Sequence, residues 1–178
     1  MAVAPFTIRD FHKSDLEALW GIDQRCFAPG ISYSRLELAA FVRLPGAFTL
    51  VAEIDGRNGA GSREGSVPHP STYQSAVEVV GFVVANASHG AGHIITIDVL
   101  PKAQRWGIGS GLLRAAEERL NEKRCAFVRL ETAVDNRAAL SFYKRHQYFV
   151  VRTLPRYYPD GADAFVLRKE LQSGQPDE

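Results

Sequence analysis

The sequence predicts an α+β domain of the α/β type, a mixed central sheet of about seven strands flanked by about four helices. Three observations predict it. Short runs rich in Val, Ile and Phe alternate with segments of helical period. Three strand-like runs follow one another between residues 47 and 100, and from there helices and strands alternate. Glycines at 107, 109 and 111 separate a strand-like run from a helix-like one, a place where backbone amides often meet an anion.

In chain order, "FTIR" at 6–9 is a short strand. Residues 13–26 read as a helix, with Ser14 or Asp15 near the N-cap and Leu16, Leu19 and Trp20 on one face. A second helix covers 34–42, and a strand at 47–55 ends at Asp55-Gly56. Residues 56–76 are rich in Gly, Ser and Pro and poor in apolar side chains, so a flexible insert is expected inside the domain. Strands are expected at 77–87 and 93–100, and a helix from the glycine turn to about Lys123, with Ile108, Leu112, Ala116 and Leu120 along its buried face. A strand at 126–134, a helix at 136–147 capped by Asn136, and a strand at 148–154 come next. A Pro-Asp-Gly turn precedes the last strand, 162–171. One domain over 1–171 and a disordered tail at 172–178 complete the reading.

Composition limits function. Twenty-one basic and 20 acidic residues in 178 leave a net charge of +1, which argues against nucleic acid as a partner. Cys26 and Cys125 have no metal-like spacing, and no metal is expected. His89 and His93 in "HGAGH" read as part of a polar turn. With neither a leader pattern nor an apolar run of about 20 residues, a soluble cytoplasmic protein without a membrane partner is expected.

The glycine turn lacks the Gly-Lys-Ser/Thr end of a P-loop. It also misses the third glycine of a dinucleotide fingerprint, because position 112 is Leu. What it matches is Q-x-x-G-x-G, written Gln104-Arg105-Trp106-Gly107-Ile108-Gly109. With "ITIDVLPKAQRWGIGSGLL", "LETAVDNRAALSFYKRHQYF" and "YYPDGADAFVLRKEL" in order, the chain resembles the GNAT superfamily of N-acetyltransferases over nearly its whole length. Within it, the chain looks most like the ribosomal-protein-alanine N-acetyltransferases and the related protein N-terminal acetyltransferases.

The resemblance implies acetyl-CoA as co-substrate, with the amides of Arg105, Trp106, Gly107, Ile108, Gly109 and Ser110 on the pyrophosphate and the backbone of Ile97, Asp98 and Val99 along pantetheine. Glycine lets a backbone approach closely, and a helix N-terminus offers unpaired N–H groups and a positive dipole. Trp106 reads equally as a packing aromatic. Arg137, Lys144 and Arg145 suit either the CoA phosphates or a solvated helix face.

Acetyl transfer needs a neutral amine and a protonated leaving sulfur. Protein α-amines titrate near about 7.7–8.0 and lysine near about 10.4, so an α-amine needs only a modest base. Glu131 is the candidate general base, with a salt bridge to Arg129 as its structural alternative. Tyr143 is the candidate general acid, with simple packing as its alternative. Asn136 and Tyr143 share a helix face, so Asn136 is read as helix cap and pantetheine contact. Tyr157 and Tyr158 are expected to line the peptide entry, and Phe27, Pro29, Gly30 and Tyr33 the opposite wall. One position departs from the family pattern: Gln147 stands where a helix-ending Gly is usual.

The expected activity is transfer of acetyl to a protein or peptide N-terminus, a ribosomal protein among the acceptors, by a monomer or weak dimer. A lysine or small-amine acetyltransferase and a non-catalytic CoA-binding module remain as alternatives on the same scaffold.

Overall fold

The computed structural model describes residues 6–27, 31–55 and 77–171. The insert expected at 56–76, the tail at 172–178 and the positions of Pro29 and Gly30 lie outside the described residues.

Seven strands form one sheet: β1 Phe6–Asp10, β2 Ala47–Asp55, β3 Val77–Ser88, β4 Ala91–Val99, β5 Phe127–Ala133, β6 Phe149–Leu154 and β7 Ala164–Glu170. Their spatial order is β1-β2-β3-β4-β5-β7-β6. All neighbours are antiparallel except β4 and β5. Among the described residues, the α-helices are α1 Leu16–Cys26, α2 Arg35–Phe41, α3 Ile108–Glu122 and α4 Arg137–Arg145.

The parallel pair needs a crossover, and α3 supplies it. Ile108, Leu112, Leu113, Ala116 and Leu120 of α3 are buried. They lie on the face toward which Gly81 and Gly92 turn, where a Cβ on Gly92 would stand 2.7 Å from Leu120. Asp98 turns the opposite way from Val99, toward Asp23 and Cys26 of α1. Helices therefore cover both sides of the sheet, and Val51, Phe82, Val83, Val84, Val128 and Leu130 form its dry interior.

Two local findings refine the sequence reading. The predicted first helix opens with a short 3-10 turn at Lys13–Asp15, and the Asp15 carboxylate accepts from the His12 N–H at 2.7 Å while also pairing with Arg9. "HGAGH" is not one polar turn: only His89 and Gly90 take positive φ, and His93 stands inside β4.

Two irregularities in β4 open the sheet. The register with β3 shifts after Ile94, so Ile95 is an extra residue in the strand. Pairing with β5 covers only Ala91–His93 opposite Phe127–Arg129. Beyond His93 the two strands part.

Candidate active site

Where β4 and β5 part there is a cleft of about 510 Å³. Ile94–Ile97 line it from β4 and Leu130–Ala133 from β5. Asn136, Ala139 and Tyr143 of α4 enclose it, with Phe27 and Tyr33 from the α1–α2 connection and Tyr158 from the β6–β7 connection. Glu131, Tyr143, Asn136, Ile97, Phe27, Tyr33 and Tyr158 are therefore brought together as the sequence predicted. Tyr157 is not in the lining; it is 49% exposed, with its ring 5.1 Å from that of Tyr158.

Glu131 is held by two partners, the Arg129 guanidinium and the His93 imidazole. Its side chain is only 8% exposed, Oε2 lies 2.6 Å from His93 Nε2, and Oε1 accepts from Arg129 at 2.7 Å. Burial resists the charge, but His93 and Arg129 outweigh burial, and the pKa lies below the ordinary carboxylate value. Sequence reasoning found the Arg129 pair and missed His93. The signal was strand parity: if β4 begins at Ala91, His93 meets Arg129 in parallel register and reaches the next residue on that face of β5, Glu131.

Tyr143 is 6% exposed, and burial, reinforced by Asp98 and Tyr158, pushes its pKa up. Its phenol stays protonated and suits a proton donor. Asn136 caps α4 by accepting from Ala139 N–H at 3.1 Å and still lines the cleft, so both of its expected roles are compatible.

Tyr33 is fixed from below. The buried carboxylate of Asp23 accepts from the Tyr33 N–H at 2.9 Å, and the Gln24 side chain donates to the Tyr33 carbonyl at 2.9 Å. Asp98 carries its carboxyl away from the cleft: Oδ1 accepts from Thr96 at 2.9 Å and Oδ2 is buried without a partner among the described residues.

The turn before α3 has the form of an anion cradle. Arg105 and Gly107 have φ of 66° and 83°, left-handed conformations of the kind that form anion-binding nests. A Cβ at Gly107 would meet nothing within 4 Å, so that glycine serves conformation and access. Among the described residues, no N–H from Arg105 to Ser110 has a backbone acceptor, and the first bond of α3 runs from Gly111 to Gly107. Gly111 serves packing instead, since a Cβ there would stand 3.0 Å from the Phe6 ring. The Gln104 side chain steadies the turn, donating to Val99 O at 3.1 Å. Cys26 donates to the same oxygen at 3.4 Å, which leaves that carbonyl less available to pantetheine than Ile97 or Asp98. Trp106 packs partly buried against the core.

The cleft and the turn flank one another along β4, and together they fit a long ligand with an anionic middle. No cluster of His, Cys, Asp and Glu suited to a metal occurs among the described residues. Nor is any described helix long and apolar enough to cross a membrane.

Comparison with known proteins agrees with this geometry. The acetyltransferase (GNAT) family model matches residues 16–148. An uncharacterized N-acetyltransferase of Methanocaldococcus jannaschii is 34% identical over 164 residues, covering 92% of this chain and 90% of that protein. An N-alpha-acetyltransferase of Sulfurisphaera tokodaii is 32% identical over 125 residues, covering 59% and 75% of the two chains. Among solved structures, Ard1 from Thermoplasma volcanium superposes with a TM-score of 0.75 at 26% identity, covering 95% of this chain and 99% of that one. The ribosomal-protein-S18-alanine N-acetyltransferase from Escherichia coli shares the fold, with a TM-score of 0.73 at 20% identity over 98% and 99% of the chains.

Proposed function

The chain belongs to the acetyltransferase (GNAT) family and is an acetyl-CoA-dependent acetyltransferase; from that premise we propose that its acceptor is the α-amine of a protein or peptide N-terminus, ribosomal proteins included. The observation that carries this reading is Glu131, which lines the β4–β5 cleft together with Tyr143 and is paired with His93 beside it. Relatives named N-alpha-acetyltransferase support it.

The turn at 104–110 fits the pyrophosphate of acetyl-CoA, because its amides from Arg105 to Ser110 have no backbone acceptor among the described residues and no Cβ obstructs Gly107. The edge of β4 that β5 leaves free beyond His93 suits the pantetheine amides. Bound there, acetyl-CoA supplies an acyl group activated as a thioester.

The residues of the chain do the rest. Glu131, paired with the Arg129 guanidinium, accepts from the His93 imidazole and orients it. His93 takes the proton from the protonated acceptor amine, whose freed lone pair then bonds to the acyl carbon as the carbon–sulfur bond breaks; the second proton leaves the nitrogen to solvent. Tyr143 gives its phenolic proton to the departing sulfur. Glu131 is thus the base through His93 rather than alone, since a carboxylate paired twice is a weak proton acceptor. Tyr33, fixed by Asp23, and Tyr158 flank the entry and align the peptide backbone.

The test is thiol release from acetyl-CoA with short peptides bearing free Ala, Ser, Met, Gly or Thr N-termini, N-blocked lysine peptides and spermidine. Turnover confined to free N-termini is expected. Turnover confined to lysine or spermidine overturns the acceptor assignment and leaves the acetyltransferase standing.

A further inference from the structure

Ser110 lies in the first turn of α3, at the anion cradle, and its Oγ is 2.9 Å from Nε2 of His146. His146 ends α4 as its C-cap residue. Its ring rests on Phe142 with 4.7 Å between centroids. The same Phe142 ring lies 3.6 Å from where a Cβ of Gly109 would stand. One imidazole therefore ties the last turn of α4 to the first turn of α3. His146 does not line the cleft, and its ring bonds neither the Glu131 nor the Tyr143 side chain, so acetyl transfer by His93, Glu131 and Tyr143 has no task for it.

The hydrogen-bond inventory gives it one. A serine hydroxyl has a single proton to donate. When Ser110 donates that proton to a phosphate oxygen, its own oxygen is left to accept, and His146 must then carry a proton on Nε2. With the cradle empty of anion, Ser110 can donate to a bare Nε2 equally well. An anion in the cradle thus selects the Nε2–H form of His146. It favours the doubly protonated ring most, because a charged donor strengthens the relay.

We propose that His146 is a positioning residue for the CoA pyrophosphate, acting through Ser110, and that it couples cofactor binding to uptake of a proton. This rests on the reading of the 104–110 turn as the CoA site.

The charges around the ring are finely opposed. Burial lowers the His146 pKa, Glu117 of α3 works against that, and Lys169 of β7, Arg145 of α4 and Arg114 of α3 reinforce it. A nearby anion shifts that balance toward the protonated ring. The sign comes from linkage: binding raises the imidazole pKa above its free-protein value. Affinity is then lowest at pH above the bound-state pKa. It rises as pH falls toward the free-protein pKa and levels off below it.

The experiment is calorimetric titration of the full chain with dephospho-CoA, from about pH 8 to about pH 5.5, in two buffers of different ionisation heat. This probe keeps the pyrophosphate and lacks the 3′-phosphate, whose own titration near about pH 6 would confuse the reading. The expected result is about a threefold to tenfold gain in affinity toward low pH, with net proton uptake. His146→Phe keeps a ring against Phe142 and is expected to bind with no pH-dependent gain; Ser110→Ala is expected to do the same. A flat profile in the parent, or a slope that survives His146→Phe, overturns the proposal. Absence of binding at every pH overturns the assignment of the turn itself, a separate and distinguishable failure. Nitrogen shifts of the His146 ring give a readout free of mutation: they are expected to move toward the Nε2-protonated form on adding dephospho-CoA, and unchanged shifts overturn the proposal.

Discussion

His93 Nε2 stands 2.6 Å from Glu131 Oε2 at the point where β4 and β5 stop pairing. The pair is placed by register: His93 is the last residue of β4 bonded opposite β5, and Glu131 lies two residues past its partner Arg129. The strands stop pairing there, and the imidazole remains 29% exposed beside Glu131, which lines the cleft.

Replacing either member removes the proton acceptor. His93→Gln and Glu131→Gln are each expected to lower kcat/KM by about 10²–10⁴-fold. The base must be unprotonated, so parent activity falls as pH is lowered; the acceptor amine protonates too, and His93→Gln is expected to keep only the amine's share of that acid limb. The pH dependence of kcat/KM with a free-N-terminus peptide checks both. Because the two act as a unit, the double variant should be little worse than either single one.

Tyr143→Phe keeps the ring packed against Phe142 and Tyr148 and removes only the hydroxyl. Its kcat is expected to drop by about 10²-fold or more, with KM for acetyl-CoA nearly unchanged. Steady-state kinetics in both substrates separate the two constants.

Gln147 holds φ at 68°, a left-handed conformation that costs a side chain with a Cβ and costs Gly almost nothing. It directly follows the last turn of α4, with its N–H donating to Lys144 O at 3.1 Å. Gln147→Gly is expected to stabilise the protein by about 1 kcal/mol at most, the glycine's extra unfolded-state freedom offsetting part of the gain. Urea unfolding measures it.

Asp98 gives stability a pH dependence of its own. Burial pushes its carboxyl up to about 7 despite the Thr96 hydroxyl that favours ionisation, and Asp23 adds to the rise. The folded state therefore binds this proton more tightly than the unfolded chain, whose carboxyl keeps the ordinary value of 3.8. The contribution is complete below that value and is lost as pH rises through about 7. Asp98→Asn is expected to melt higher than the parent at pH 8 by several degrees, with the gap narrowing as pH falls toward 4. Thermal melts across that range check the sign; a gap independent of pH contradicts it.

Much of this was legible from residues alone. Period and turn chemistry located the seven strands and four α-helices of the described residues, because β-branched alternation and glycine punctuation agree with the fold there. Glu131 and Tyr143 were picked out by the pattern around them and both line the cleft, and Gln147 was picked out as a position that wants glycine. Three features were not. His93 was hidden because the glycines at 90 and 92 look alike in sequence, yet Gly90 makes the turn and Gly92 clears Leu120 inside a strand. The buried Asp23–Asp98 neighbourhood depends on which helix covers which face. The place of β7 between β5 and β6 comes from long-range pairing, which no local pattern encodes.

Acetylation of an α-amine, rather than of a lysine, can be read from a single reaction. One peptide carrying both a free N-terminus and an internal lysine is incubated with acetyl-CoA and the protein, and the product is mapped by fragmentation mass spectrometry. Acetyl is expected on the N-terminal nitrogen and none on the lysine, with the product lost in Glu131→Gln. Acetyl on the lysine side chain with the N-terminus untouched would contradict the α-amine assignment.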